Sequence, residues 1–159
     1  MDDILSKEPV QRVINALSDF DKSLKVEVLN SSAKTAKEAA SSLNCEVGAI
    51  VKSLLLRTDD SFILCLVAGD KRCSLNKVKK LLKKKDVSMA DAEQVKSQTG
   101  FSIGGVSPTA HLNKNKILID VSLSRYEHVY AAAGHPNTIF KISYKQLIKL
   151  TEGIEENII

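Results

Sequence analysis

The chain alternates between two apolar periods. From Pro9 onward, Val10, Val13, Ile14 and Leu17 recur at helical spacing, and Pro9 suits a first turn, where its missing N–H costs nothing. The pattern predicts a helix over about 9–20 behind a loose start at 1–8. Lys25–Leu29 alternates and reads as a short strand. Thr35-Ala36-Lys37-Glu38 is a capping-box pattern opening an alanine-rich helix to Leu43. Ile50–Leu56 and Phe62–Ala68 are apolar on both faces and flank a polar turn, which predicts a hairpin in the middle of a covered sheet. Ser74 caps a helix whose stripe is Leu75, Val78, Leu81 and Leu82. A short helix follows from Ser88/Asp91 to Gln98, stopped by Gly100. Lys116–Val121, Glu127–Ala132 and Asn137–Ile142 read as strands, and Ser143 caps a last helix to about Leu150. Strands and helices do not alternate regularly, so the order predicts an α+β fold rather than a doubly wound one. The length predicts one domain over 1–159.

Charge changes the picture more by its place than by its sum. Lys plus Arg number 23 against 19 Asp plus Glu, a formal +4, yet 8 of the basic and none of the acidic residues fall within 71–85. The rest of the chain is slightly acidic. Lys77, Lys79, Lys80, Lys83 and Lys84 fall opposite the apolar stripe, without acidic partners at helical spacing. Such a face can neutralise a few phosphates; a solvated helix face is the bland alternative. Cys45, Cys65 and Cys73 have neither zinc spacing nor the density of a secreted framework, which points to reduced thiols in the cytoplasm. No apolar run approaches the ~18–20 residues of a membrane span, and the N-terminus has no signal-peptide core. No spacing suggests a metal or a hydrolytic Ser or Cys triad, so no cofactor is expected.

Three places could carry chemistry. Lys52 lies inside an otherwise apolar strand. An ammonium there can bind a phosphate, polarise a carbonyl or lose its proton, or simply snorkel to solvent. Gly104-Gly105-Val106-Ser107-Pro108 lets the backbone approach a ligand and aim N–H groups at a phosphate or a developing oxyanion; a tight turn is the alternative. Gly134-His135-Pro136 fixes His135 between a turn glycine and a rigid proline, where it lines a pocket or decorates a surface turn.

The ordered set Thr35-Ala36-x-x-Ala39-Ala40, Ile50-Val51-Lys52-Ser53-Leu54, Val67-Ala68-Gly69-Asp70, Thr99-Gly100, Gly104-x-x-x-Pro108 and Asp120 resembles the YbaK/ProX family of aminoacyl-tRNA deacylases over about residues 30–151. The helix at 9–20 lies outside the resemblance. The resemblance implies a mixed, barrel-like sheet flanked by helices, with Lys52 and the GxxxP loop bordering one pocket. It makes Lys52 and residues 104–108 catalytic. It implies a substrate pocket that includes Gly134, His135 and Asp120. The Gly-His-Pro turn is similar to that of the free-standing ProXp branch and points to a small amino acid such as alanine on proline tRNA. A cysteine-specific deacylase of the YbaK branch, a non-catalytic tRNA- or synthetase-binding module, and a hydrolase of another small ester are the alternatives. The implied partner is mischarged tRNA, with prolyl-tRNA synthetase as a candidate second partner. The length leaves no room for a synthetase core, so a free-standing enzyme is expected.

Overall fold

A computed structural model describes residues 3–30 and 35–159. Residues 1–2 of the expected loose start, and 31–34 within the resemblance, lie outside the described residues. The chain runs through α1 (Glu8–Phe20), β1 (Val26–Val28), α2 (Ala36–Leu43), β2 (Val51–Thr58), β3 (Phe62–Ala68), α3 (Leu75–Leu82), β4 (Val87–Met89), α4 (Ala92–Thr99), β5 (Lys116–Asp120), β6 (His128–Ala132), β7 (Thr138–Ser143), α5 (Tyr144–Thr151) and β8 (Ile154–Glu156).

Local chemistry sets the helix ends. The Thr35, Ser74 and Ser143 hydroxyls each accept the backbone N–H three residues on. Asp91 closes a full capping box with Gln94, and Gly100 ends α4 in the left-handed region at φ +84. Ser88, the other candidate start for that helix, sits in β4 instead. The alternation of β2 and β3 covers both sheet faces, as expected. Val51, Leu55, Leu64, Leu66 and Ala68 face a core shared with α1, α4, α5 and the smaller sheet. Leu56, Ile63, Cys65 and Val67 face α3 and the C-terminal Ile158. Leu81 leaves the predicted stripe: it is 42% exposed, while Leu75, Val78 and Leu82 make the contact. The helix ends there because Lys83 turns left-handed at φ 55.

Among the described residues the sheet forms two parts, not a closed barrel. Five strands run in the order β4-β2-β3-β5-β8, mixed because β3–β5 and β5–β8 are parallel. Three run in the order β1-β7-β6, all antiparallel. The two parts meet at one parallel bridge, Ile50 to Tyr130. The physical reason for the open seam is the short reach of the edge strands. β4 covers the outer edge of β2 only from Leu56 to Thr58, and the bridge touches it only at Ile50. Between these attachments residues 51–54 pair with no outer strand among the described residues, and a hollow opens there.

Candidate active site

A cavity of about 250 Å³ opens at this seam. Ile50 and residues 51–54 of β2 form one wall and Tyr130, Ala131 and Ala132 of β6 another. Ile103, Gly104, Val106 and Pro136 close it, with Ala36 and Ala39 of α2 across the mouth. Its lining is mostly small and aliphatic.

Lys52 stands at the rim. Its Nζ donates to the Lys71 carbonyl, and it borders a second groove formed with Gly69, Asp70, Lys71, Arg72 and Ile159. Partial burial lowers its pKa below the usual lysine value, and the nearby Arg72 adds to the depression, against Asp70 and Cys73. A cation without a carboxylate bonded to it is free to exchange a backbone carbonyl for a substrate oxygen. In the same groove Asp70 is fully committed: it accepts from both Arg125 Nη groups, at 2.7 and 3.0 Å.

The loop between α4 and β5 brings up the other side. Gly104 and Val106 line the cavity. Among the described residues, the N–H groups of Gly104, Val106 and Ser107 have no hydrogen-bond acceptor. The remainder of the loop is tied down. The Gly105 N–H donates to Ser102, and the Gly105 carbonyl accepts from Gly134 at 3.0 Å. The Ser107 carbonyl accepts from His111 Nε2 at 2.6 Å, and Ser107 Oγ accepts from Thr109. Gly105 must be glycine because a Cβ would come within 3.0 Å of the Gly134–His135 backbone.

The structure separates some of the expected site residues. Lys52, Gly104 and Val106 reach the cavity; Gly105 and Ser107 stand behind it, and Pro108 faces a different depression with His111 and Asn115. In the Gly-His-Pro turn the lining residue is Pro136, whereas Gly134 and His135 do not line the cavity. His135 Nδ1 instead accepts the Asn137 N–H at 3.0 Å. Asp120 is also removed from the cavity. It is fully buried, and its oxygens accept from the N–H of Ser122, the Ser122 hydroxyl and the N–H of Ile158. It ties β5 to the chain end because an unpaired buried carboxylate there would be costly.

The lysine face is partly committed as well. Lys84 pairs with Asp60 at 2.8 Å, and Lys77 Nζ donates to the Ile159 carbonyl and to Asn157. Pairing across the fold, invisible at helical spacing, supplies these partners. Lys79, Lys80 and Lys83 make no side-chain hydrogen bond or ion pair among the described residues.

Ser53, within the Ile50–Leu54 motif, is a lining residue that the motif by itself does not mark as functional. Its Oγ is buried in the cavity wall with no partner among the described residues. A hydroxyl between Lys52 and the three leucines 54–56 was the available signal.

Comparison with known proteins places these features in a family context. A sequence model of the aminoacyl-tRNA editing domain matches residues 30–150. YwhH, an uncharacterised protein of Bacillus subtilis (strain 168), is 32% identical over 117 residues, 73% of this chain and 74% of YwhH. The proline–tRNA ligase of Caldicellulosiruptor saccharolyticus is 35% identical over 82 residues, or 52% of this chain, and the match spans only 14% of the ligase. A crystal structure of a candidate trans-editing enzyme for prolyl tRNA synthetase superposes with a TM-score of 0.91 at 37% identity, over 96% of this chain and 97% of that one.

Proposed function

The chain belongs to the aminoacyl-tRNA editing domain family, and from that premise we propose that it acts in trans as a deacylase, hydrolysing the ester between a wrongly attached amino acid and the terminal ribose of tRNA. One observation carries the reading: a small aliphatic cavity has on one rim a lysine bonded to a backbone carbonyl rather than to a carboxylate, and unpaired backbone N–H groups on the facing loop. An ester is already activated, so orientation and oxyanion stabilisation supply much of the acceleration.

In this mechanism Lys52 anchors a substrate phosphate or the ester carbonyl. The N–H groups of Gly104 and Val106, with that of Ser107 behind them, accept the charge that develops on the carbonyl oxygen. Water attacks, the bond to the ribose oxygen breaks, and amino acid and free tRNA leave. The neighbouring ribose hydroxyl takes a proton from the attacking water and hands its own to the departing ribose oxygen, which leaves as a hydroxyl. The side chain lies against Ala131, Ala132, Val51 and Ile139, a floor that suits a small apolar group, so alanine on proline tRNA is the favoured substrate. The tRNA backbone approaches over the groove of Lys71 and Arg72, which opens from Lys52. The protein works in the cytoplasm.

Proline tRNA carrying alanine, cysteine or serine, offered in parallel, tests the reading. Alanine is expected to be released fastest, and Lys52→Ala to abolish release while the circular-dichroism spectrum stays native. Faster release of cysteine reassigns the substrate. Saturable binding without turnover, or full activity in Lys52→Ala, sinks the deacylase.

A further inference from the structure

The loop that carries the unpaired N–H groups is not held by the family core alone. Helix α1 lies outside residues 30–150, yet one of its side chains closes the loop's neck. Arg12 Nη2 donates to the Thr99 carbonyl and Nε to the Ala110 carbonyl, both at 3.2 Å. These two carbonyls flank the loop on either side. The guanidinium stacks 4.6 Å from the centroid of the fully buried Phe101 ring, and Glu8 fixes its third nitrogen at 2.7 Å. Its fit is tight: a Cβ at Gly100 would come within 2.5 Å of Nη2. Ala110 holds a left-handed φ of 66, an uncommon conformation for alanine that persists only when its surroundings impose it. The same helix reaches the partner loop, because a Cβ at Gly134 would meet the Pro9 carbonyl at 2.8 Å.

We propose that Arg12 is a positioning residue for the editing reaction, clamping the neck of the loop so that the Gly104 and Val106 N–H groups stay aimed at the ester. The planar fork suits this task, since it reaches two carbonyls with one rigid group and stacks on an aromatic face at the same time. The inference rests on the deacylase reading for its effect on rate, but not for its effect on the loop.

Arg12→Met keeps a long apolar side chain at this position and removes the fork. Its kcat for deacylation is expected to fall about a hundredfold with KM unchanged, the size of loss that a small misplacement of catalytic groups produces. Amide hydrogen exchange across 101–111 should accelerate in the same variant, and Arg12→Lys should recover part of both effects. A lower melting temperature with unchanged kcat overturns the proposal, because it marks a merely structural role. Should the methionine variant not fold, the lysine variant decides, and wild-type kcat and exchange in it overturn the proposal. If the wild-type chain releases no amino acid, the deacylase reading fails by itself; exchange across 101–111 then judges the clamp, and unchanged protection in Arg12→Met overturns it.

Discussion

Ser53 and His111 show how single side chains divide the work between stability and function. The Ser53 hydroxyl gave up its water on folding and found no partner among the described residues. Ser53→Ala removes that penalty, so the variant should be more stable by about 1 kcal/mol in urea unfolding. It should also lose activity on any substrate whose polar atom the hydroxyl meets; lower stability would show that the oxygen is bonded after all. His111 is the opposite case, saturated on both nitrogens. Asn115 donates to Nδ1 at 2.9 Å, so the proton sits on Nε2 and is donated to Ser107. Burial chiefly holds its pKa below the ordinary 6.5, with Arg12 adding to the depression and the Ser107 carbonyl opposing it. The unfolded ring therefore takes up its proton before the folded one does. The stability this contributes is complete above about pH 6.5 and is lost as pH falls from there towards the depressed folded value. Urea midpoints between pH 7.5 and 5 should drop, and His111→Gln should make that drop shallower.

The packing of secondary structures explains why short motifs recur where they do. Gly69 ends β3, and its N–H donates to the Ile50 carbonyl at 2.7 Å. A Cβ there would lie 2.3 Å from the Val47 carbonyl and 2.9 Å from the Ala36 side chain. Gly69→Ala must push α2 and the turn at 47–49 away from β2, at a cost of about 1–3 kcal/mol; a thermal midpoint equal to wild type would contradict this contact. Such close approaches mark what the amino-acid pattern can and cannot convey. The central strands, the capped helices and Gly100 as a stop were all legible, because periodicity and capping are local. β4 and β8 were not, since these short edge strands, unlike Lys25–Leu29, sit directly against helices in sequence without a stretch of alternation of their own, and exist only through their neighbours. Lys52 was legible as a polar break in an apolar strand, and the loop at 104–108 by its glycines. The distance of Asp120 from the cavity was not, because a carboxylate that ties β5 to the chain end looks the same in sequence as one in a pocket. Arg12 gave no signal, for its acceptors lie about a hundred residues away.

Taken as one body, the molecule joins an open seam between two sheets to an uneven charge distribution. The short reach of β4 and the isolated Ile50–Tyr130 bridge, among the described residues, leave the seam open at the cavity. The basic strip of 71–85 then divides by location. Lys77 and Lys84 are spent on the protein's own C-terminal residues and on Asp60, which leaves Lys79, Lys80, Lys83 and Lys85 on the α3 side and Lys71 and Arg72 in the groove that starts at Lys52. On the proposed deacylase reading, an ester seated in the cavity would lead its adjoining phosphates into that groove first. Each phosphate neutralised releases counterions and steepens the salt dependence of binding by somewhat less than one logarithmic unit. Lys71→Gln with Arg72→Gln should therefore weaken binding of uncharged tRNA and flatten the slope of log K against log salt by about 1–2. Lys79→Gln with Lys80→Gln and Lys83→Gln should change it less. Equal losses would spread the RNA along the whole strip, and an unchanged slope in the first variant would place the RNA on another face.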